Sequence, residues 1–177
     1  MMRVTKLFFS FVFFSLVWNE VVFCQATPQV SATGRVTAEV ISVFAASETS
    51  QMNFGKFSPG PEGGEIILTP QSTVSILGSI FKGPGTHNAA SFYVTGDADA
   101  AYTITLPADP VVLTNISNAK TMKIENWMSI PAPTTGAGKL QDGFQTVYVG
   151  ATLKVGTLYD NPVGIYTGTY TITFDFN

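Results

Sequence analysis

The sequence predicts an all-β protein, an immunoglobulin-like antiparallel β-sandwich of about nine strands that follows a cleaved signal peptide. Apolar and polar residues alternate along several short segments, which is the period of a strand with two unlike faces. Turn-forming residues separate these segments, with 16 Gly and 10 Pro in 177 residues. No segment has a convincing helical period, and only 12% of the residues are charged, about half the globular average.

The N-terminal 26 residues have the pattern of a secretory signal peptide. Arg3 and Lys6 precede an apolar core at residues 7–18, which is too short for a comfortable membrane span. Cleavage is expected after Ala26 or after Cys24. We therefore expect residues 27–177 to form a single sandwich domain that is exported to the periplasm, cell surface or extracellular space.

Leader removal also changes the chemistry of the chain. Cys24 is the only cysteine, so the mature protein is expected to have no disulfide. A lipid on Cys24 is disfavoured because Phe23, rather than a small residue, precedes it. Losing Arg3, Lys6 and Glu20 leaves seven basic and eleven acidic residues, a net charge of −4. This acidic balance argues against nucleic acid or an anionic membrane as the partner.

The first predicted strand follows the leader. Small or apolar residues alternate with polar ones from Val30 to Val40, on both sides of Gly34. In the favoured interpretation, this run is the first strand and edge of the protein's own sandwich. In the other, Val30–Gly34 pairs with a neighbouring subunit's sheet as an added strand.

The remaining strands are predicted from the same alternation and from the turns between them. Phe54 and Phe57 are aromatic anchors that precede a Pro-Gly turn at residues 59–60, and a loop continues to Gly64. A hairpin-type connection at residues 96–99 is expected to join two of the strands. The predicted strands between the first and the last are residues 65–69, 73–77, 91–95, 102–106, 111–114, 121–127 and 146–155.

The C-terminal segment, residues 164–177, has the clearest alternation and is expected to be a strand inserted into the core. We expect Ile172 and Phe174 to be buried, with Val149 and Leu153 helping to cover them. Burying each large residue would stabilise the sandwich by about 1.5–3 kcal/mol. The apolar or small positions are Tyr166, Gly168, Tyr170, Ile172, Phe174 and Phe176, and mostly threonines lie between them.

Few residues in the sequence are candidates for catalysis or for binding a metal or cofactor. His87, the only histidine, lies in a Gly- and Pro-rich segment and is read as an exposed loop residue rather than a general base. Asp97 and Asp99 are read as turn residues rather than calcium ligands. No catalytic, cofactor-binding or metal-binding residue is assigned, no cofactor is expected, and we do not expect an enzyme.

Several segments, in their order along the chain, resemble a secreted bacterial family named domain of unknown function 4402. The likeness extends from about Val36 to Asn177 and implies no established activity. A looser likeness is to chaperone–usher pilins and spore-coat-U-like subunits, which also end in an alternating strand with an aromatic residue next to last. The segments that resemble the family are Asn53-Phe-Gly-Lys-Phe57, residues 89–96, residues 102–107, residues 148–156 and residues 164–174.

Two functions are open at this point. The first is a structural or surface protein of the bacterial envelope, similar to a pilin subunit, which pairs by strand addition with itself or with homologous subunits. The alternative is an extracellular ligand-binding module, either for carbohydrate or as an adhesin, that uses Trp127, Tyr93 or Tyr148 to stack on a sugar. A concave patch with Trp127 or Tyr93 beside polar groups favours the module, whereas an exposed groove or an unpaired edge strand favours assembly.

Overall fold

The computed structural model describes residues 28–41, 43–134 and 138–176. The chain divides into two units, residues 1–39 and residues 40–177. In the first unit, the described residues 28–39 contain no strand and are exposed throughout. The second unit contains all of the regular structure among the described residues, and that structure is antiparallel β-sheet.

Eleven strands form in the second unit, and several follow the predicted alternation closely. The strands are β1 (Ala45–Ser50), β2 (Phe57–Leu68), β3 (Val74–Lys82), β4 (Ala90–Thr95), β5 (Ala101–Thr105), β6 (Val111–Asn115), β7 (Thr121–Ile130), β8 (Gly138–Lys139), β9 (Phe144–Val155), β10 (Tyr166–Thr167) and β11 (Thr173–Phe176). The fold is therefore the all-β antiparallel sandwich that the sequence predicts, with two more strands than expected.

The strands form two sheets of unequal size. The larger sheet has the order β1-β4-β9-β7-β6-β10, and β2 lies beside the second half of β9 with β3 on its outer side. The smaller sheet has the order β11-β5-β8. β9 is the centre of the larger sheet because it pairs with β4, β2 and β7.

Two hydrophobic clusters form the core, and β9 contributes to both. The alternate β9 residues from Val147 to Val155 are all buried, as predicted. Val147 and Val149 join the cluster that packs against the smaller sheet, which also contains Tyr102 and Ile104. The other β9 residues join the second cluster, which is Ile66, Ile80, Met122, Ile124, Ala151, Leu153 and Val155.

The C-terminal segment is two short strands rather than one. β10 pairs with β6 in the larger sheet, and β11 pairs with β5 in the smaller sheet. The predicted alternation holds, since the apolar side chains from Tyr170 to Phe176 are partly buried and the threonines between them are exposed. Ile172 and Phe174 pack on the cluster that contains Val149, whereas Leu153 belongs to the other cluster. The prediction that Leu153 helps to cover them was therefore wrong.

The prediction that Val30–Val40 is the first strand of the sandwich was also wrong. The described residues before Ala45 have no strand, and Val30 and Val36 are 92% and 97% exposed. The run has the right alternation, but a strand also needs a paired neighbour, which the sequence pattern does not reveal. The first strand of the fold, β1, instead has almost entirely exposed side chains.

Two predicted connections also differ. The predicted turn and loop at residues 58–64 belong to β2, where the pairing with β3 is irregular between Pro59 and Gly64. Gly63 sits there at φ 67°, and an added Cβ would lie 2.4 Å from the Val155 carbonyl oxygen, so only glycine fits. Residues 96–99 do not close a hairpin, because β4 and β5 belong to different sheets.

Candidate functional site

One concave feature of the second unit is an apolar groove of about 820 Å³. One wall is residues 51–59, which are the β1–β2 connection and the start of β2. The other wall is residues 161–170, which include β10. We call this feature the open groove. Its floor consists of side chains from the larger sheet, namely Val111, Leu113, Met122, Ile124 and Leu153.

The floor of the open groove follows from the pairing of β6, β7 and β9. Val111 lies opposite Ile124, and Ile124 lies opposite Leu153 on the next strand. Residues that are directly paired point to the same face of a sheet, so these three form an apolar row. The smaller sheet packs against the other hydrophobic cluster. Side chains from both walls, including Phe54 and Tyr166, pack on this row, so Ile124 and Leu153 are only 4% and 2% exposed.

Hydrogen bonds to Asn88 hold the first wall in place. The backbones of Asn53 and Asn88 exchange two hydrogen bonds of 2.9 Å. The Asn88 side-chain amide also donates to the Gln51 carbonyl at 2.6 Å. On the groove side of this segment, Met52, Phe54 and Phe57 pack against the core cluster beneath. This wall is therefore fixed by polar contacts on one side and by apolar contacts on the other.

The second wall depends on two buried asparagines. The Asn161 side chain accepts from the Gly156 amide at 2.6 Å and donates to the Thr121 carbonyl at 2.7 Å. The Asn115 side chain accepts from the Ser117 amide at 2.9 Å. Next to it, the Ile116 amide donates to the Ile165 carbonyl at 3.0 Å. These hydrogen bonds connect the second wall to the end of β6, to the β6–β7 turn and to the start of β7.

β10 borders the groove with an unpaired edge. Among the described strands it pairs only with β6 and ends the strand order of its sheet. Tyr166 and Thr167 line the groove, and Gly168–Tyr170 continue the wall without a strand assignment. An edge of this kind presents backbone N–H and C=O groups to any chain that lies beside it.

The end of the second wall contains a buried polar atom that has no hydrogen-bond partner among the described residues. The Tyr170 hydroxyl is buried and has no hydrogen-bond partner among the described residues. Burial raises the pKa of this phenol, and the nearby Glu48 carboxylate raises it further. The Tyr170 ring packs on Trp127 at 4.7 Å and edge-on to Phe92 at 6.3 Å. Tyr170 therefore remains a neutral phenol that separates the groove from the sandwich core.

A second concavity, of about 680 Å³, lies between the β5–β6 connection and β7, and we call it the Trp127 cleft. Its lining includes Trp127 with Asp109, Glu125 and Asn126. The pairing of β7 with β9 shifts register between Glu125 and Met128, and Asn126 has φ 53°. Such a bulge interrupts the regular alternation of side chains at Asn126 and Trp127.

Two contacts restrict what the Trp127 cleft can do. Glu125 forms a 3.0 Å ion pair with Lys154, which also contacts Glu65. Hydrogen bonds to Glu65 and then Glu125 raise the pKa of Lys154. The Trp127 ring is packed on Tyr170, and its Nε1 atom is buried without a partner among the described residues. The indole is thus mostly a core residue and only partly a surface for stacking.

The residues that were candidates for a general base or for calcium ligands do not lie together in one site. His87 is half-buried in the β3–β4 loop, somewhat less exposed than expected. Asp97 and Asp99 lie in the turn after β4, where the Asp97 carbonyl accepts from Ala100 at 3.2 Å and Asp99 has φ 63°. Asp99 also pairs with Lys139 at 3.0 Å on the surface. This agrees with their reading as turn residues.

The other candidate aromatic residues are on the outer face of the larger sheet. Tyr93 of β4 and Tyr148 of β9 are 39% and 46% exposed. Tyr93 stacks on Phe144 at 5.8 Å. Neither tyrosine lines the open groove or the Trp127 cleft. They therefore form a separate exposed surface and do not act together with Trp127.

Within residues 28–41, 43–134 and 138–176, no group of three or more His, Cys, Asp or Glu side chains is arranged to hold a metal ion. The same described residues contain no helix that is long and apolar enough to cross a membrane.

Sequence reasoning did not identify the open groove. Phe54 and Phe57 were predicted as aromatic anchors, but no role was predicted for the asparagines that fix the walls. One usable signal was present. Residues 158–165 contain turn-forming residues together with three aliphatic ones, Leu158, Val163 and Ile165. An ordinary surface turn does not require so many apolar side chains.

Comparison with known proteins identifies the family of this chain. A search of curated proteins and a search of solved structures found no match. The family model described as "Domain of unknown function (DUF4402)" matches residues 44–176, which span the sandwich from just before β1 to the end of β11. The chain therefore belongs to the DUF4402 family.

Proposed function

We propose that this protein is an exported, non-enzymatic structural or surface protein of the bacterial envelope that works by β-strand pairing, in the manner of a pilin subunit. The observation that carries the proposal is the segment before β1. It has the alternation of a strand, yet the described residues 28–41 have no strand and are exposed. An unpaired segment with this pattern is suited to pairing with another chain.

The exposed apolar side chains supply the driving force. Val30, Val36 and Val40 are 92%, 97% and 97% exposed. Burying a valine side chain contributes about 1.5–3 kcal/mol, so placing several of them against a partner offsets much of the cost of ordering the segment. The free edges of the protein's own sheets are the acceptors for such a segment. Among the described strands, β1, β3 and β10 of the larger sheet and β8 and β11 of the smaller sheet each have one unpaired side.

The predicted leader fits the same proposal, because a subunit of a surface assembly has to cross the inner membrane. Periplasm, cell surface and extracellular space all remain consistent with it.

Truncation tests the proposal. We expect deletion of residues 27–34 to abolish oligomers of the exported protein and to leave its melting temperature within about 2 °C of the full chain, because residues 28–34 make up no part of the sandwich. Size-exclusion chromatography with light scattering, followed by thermal unfolding, measures both. A matched control replaces residues 27–34 with an equally long Gly-Ser segment. A full chain that is monomeric before and after truncation would refute strand donation.

The second candidate function is sugar binding at the Trp127 cleft. The observation that favours it is the cleft itself, which places an indole beside Asp109 and Asn126. It ranks second because the Trp127 ring is packed on Tyr170. Titration with envelope glycans tests it. Asp109→Ala and Asn126→Gly should each weaken glycan binding at least tenfold if the cleft is used, and Tyr148→Ala on the outer face should not.

A further inference from the structure

We infer that two neighbouring loops of the sandwich insert into the surface of a zwitterionic phospholipid bilayer. The loops are residues 116–120, between β6 and β7, and residues 157–165, between β9 and β10. We call them the tip loops. The inference goes beyond the proposed function, because contact with a bilayer does not depend on strand pairing.

The tip loops expose large apolar side chains. Tyr159 and Val163 are 84% and 89% exposed, Ile116 and Ile165 are 67% and 65% exposed, and Leu158 is 50% exposed. A single exposed apolar residue is ordinary on a protein surface, whereas a group of them marks a site of contact with a partner or a membrane. The tip loops are therefore a candidate contact surface.

Hydrogen bonds hold the two loops side by side. The Ile116 amide donates to the Ile165 carbonyl at 3.0 Å. The Asn161 side chain donates to the Thr121 carbonyl, at the start of β7, at 2.7 Å. The apolar side chains are therefore presented together, on backbone that is ordered by its own contacts.

The exposure of these side chains favours a bilayer over a protein as the partner. Tyr159 and Val163 contact little of their own protein, so they project separately and do not form a flat patch. A protein partner would need a recess shaped for each projecting side chain. Fluid acyl chains close around each one without a matching shape, which suits short loops with aliphatic tips.

The polar groups of the tip loops match the boundary between headgroups and acyl chains. The Lys120 ammonium lies over the Tyr159 ring, 5.1 Å from its centre. Tyrosine is enriched at this boundary, and a lysine stem there lets its charge reach the headgroups.

The charges of the tip loops favour a zwitterionic bilayer. Lys120 and Asp160 are their only charged residues, one base and one acid. The Asp160 carboxylate accepts a hydrogen bond of 2.7 Å from the Thr157 hydroxyl. A zwitterionic headgroup offers a phosphate to the base and an amine to the acid. An anionic bilayer offers only the first of these, and it would repel the acidic mature chain.

Vesicle sedimentation tests the inference on the exported protein. The vesicles contain phosphatidylethanolamine and phosphatidylcholine, and a second set also contains anionic phosphatidylglycerol. We expect Ile116→Ser and Val163→Ser each to weaken binding to the zwitterionic vesicles at least threefold, and the double variant at least tenfold. Both side chains are largely exposed, so the melting temperature should stay within about 2 °C of the parent.

The matched controls remove exposed apolar side chains elsewhere. Phe81 of β3 is 68% exposed, and Val36, before β1, is 97% exposed. Phe81→Ser and Val36→Ser should change vesicle binding by less than twofold.

Fluorescence locates the contact. We expect the emission of Tyr159→Trp to shift to shorter wavelength on adding vesicles and to be quenched by brominated acyl chains. Tyr148→Trp, on the outer face of the larger sheet, is the control and should show neither change. The parent chain gives the contribution of Trp127, which all three proteins share.

Each of the other outcomes overturns the inference. The first is no sedimentation of the parent with zwitterionic vesicles. The second is binding that Phe81→Ser or Val36→Ser weakens more than the tip-loop variants do. The third is binding that requires phosphatidylglycerol and disappears in high salt, which would replace apolar insertion with electrostatic attraction.

Light scattering without lipid separates a bilayer from a protein partner. If Ile116→Ser with Val163→Ser lowers the oligomeric mass of the parent, the tip loops are an interface between copies of the chain, and the bilayer assignment fails. The deletion of residues 27–34 tests strand pairing separately, so failure at the tip loops leaves the proposed function standing.

Discussion

At the scale of single residues, Tyr102 shows how the two sheets are joined. Its ring is fully buried on β5, in the smaller sheet, and its hydroxyl donates to Gln145 Oε1 of β9 at 2.6 Å. The Lys139 amide of β8 donates to the same oxygen at 3.1 Å. Gly138 makes room for the ring, because a Cβ there would lie 2.3 Å from Tyr102 Cζ. The alternation placed Tyr102 in a strand, but neither the hydrogen bond nor the role of Gly138 follows from it.

Tyr102 is expected to make the fold sensitive to alkaline pH. Burial raises the pKa of its phenol to about 12, from 10.0. The folded state therefore holds this proton more tightly than the unfolded chain. The resulting stability is complete below pH 10 and is lost as the pH rises from 10 towards 12, by an amount on the order of 2 kcal/mol. We expect the free energy of unfolding to fall less steeply over this range in Tyr102→Phe than in the parent.

Urea unfolding at a series of pH values from 8 to 12 measures this dependence. At neutral pH, Tyr102→Phe should cost only about 1 kcal/mol, because Gln145 Oε1 keeps its hydrogen bond from Lys139. Tyr159→Phe is the matched control, since Tyr159 is 84% exposed. An alkaline slope that is equal in the parent and in Tyr102→Phe would contradict the assignment.

At the scale of elements, the C-terminal segment connects the two sheets. β10 closes one end of the larger sheet, and β11 pairs with β5 in the smaller sheet. Between them, Tyr170 separates the open groove from the core. Along its length, the segment therefore forms a sheet edge, then a wall of the groove, and then a strand that packs on the core.

Phe174→Ala measures how much β11 contributes to stability. The Phe174 ring lies 6.1 Å from Phe92 and 6.0 Å from Tyr102, but it is only partly buried. We therefore expect a loss of about 2–3 kcal/mol in the free energy of unfolding, less than the 3–5 kcal/mol typical of a fully buried Phe. The exposed neighbour Thr173→Ala is the control and should change stability by less than about 0.5 kcal/mol. A loss below about 1 kcal/mol for Phe174→Ala would make β11 peripheral.

The elements also show which parts of the fold the sequence predicts. β4, β5, β6, β7 and β9 were predicted nearly to their ends, because each is a regular alternating segment between turns. Val30–Val40 has the same alternation and no strand, since pairing depends on a neighbour that the local pattern does not specify. The walls of the open groove were missed for a related reason. Asn88 and Asn161 act through partners far along the chain, at Gln51 and Thr121.

At the scale of the whole molecule, the family match and the β-sheets cover the same part of the chain. The family match begins at residue 44 and ends at residue 176, which coincides with the β-sheet region. The preceding segment lies outside the matched region and has an alternating pattern without a strand. The proposed strand pairing uses a segment that lies outside the region matched by the family.

Export should leave this molecule without any thiol. If the leader is cleaved after Cys24 or Ala26, the only cysteine is lost, and packing alone holds the sandwich together. We expect protein recovered from the periplasm or medium to have the intact mass of a chain that begins at Gln25 or Thr27. It should take up no thiol-specific label, and its melting temperature should be the same with and without reductant. The Cys24→Ser precursor is the control and should give the same product when cleavage follows Ala26. Recovery of a chain that still begins at Met1, or one with a lipid on Cys24, would contradict export by this route, and strand pairing at the cell surface would then lose its premise.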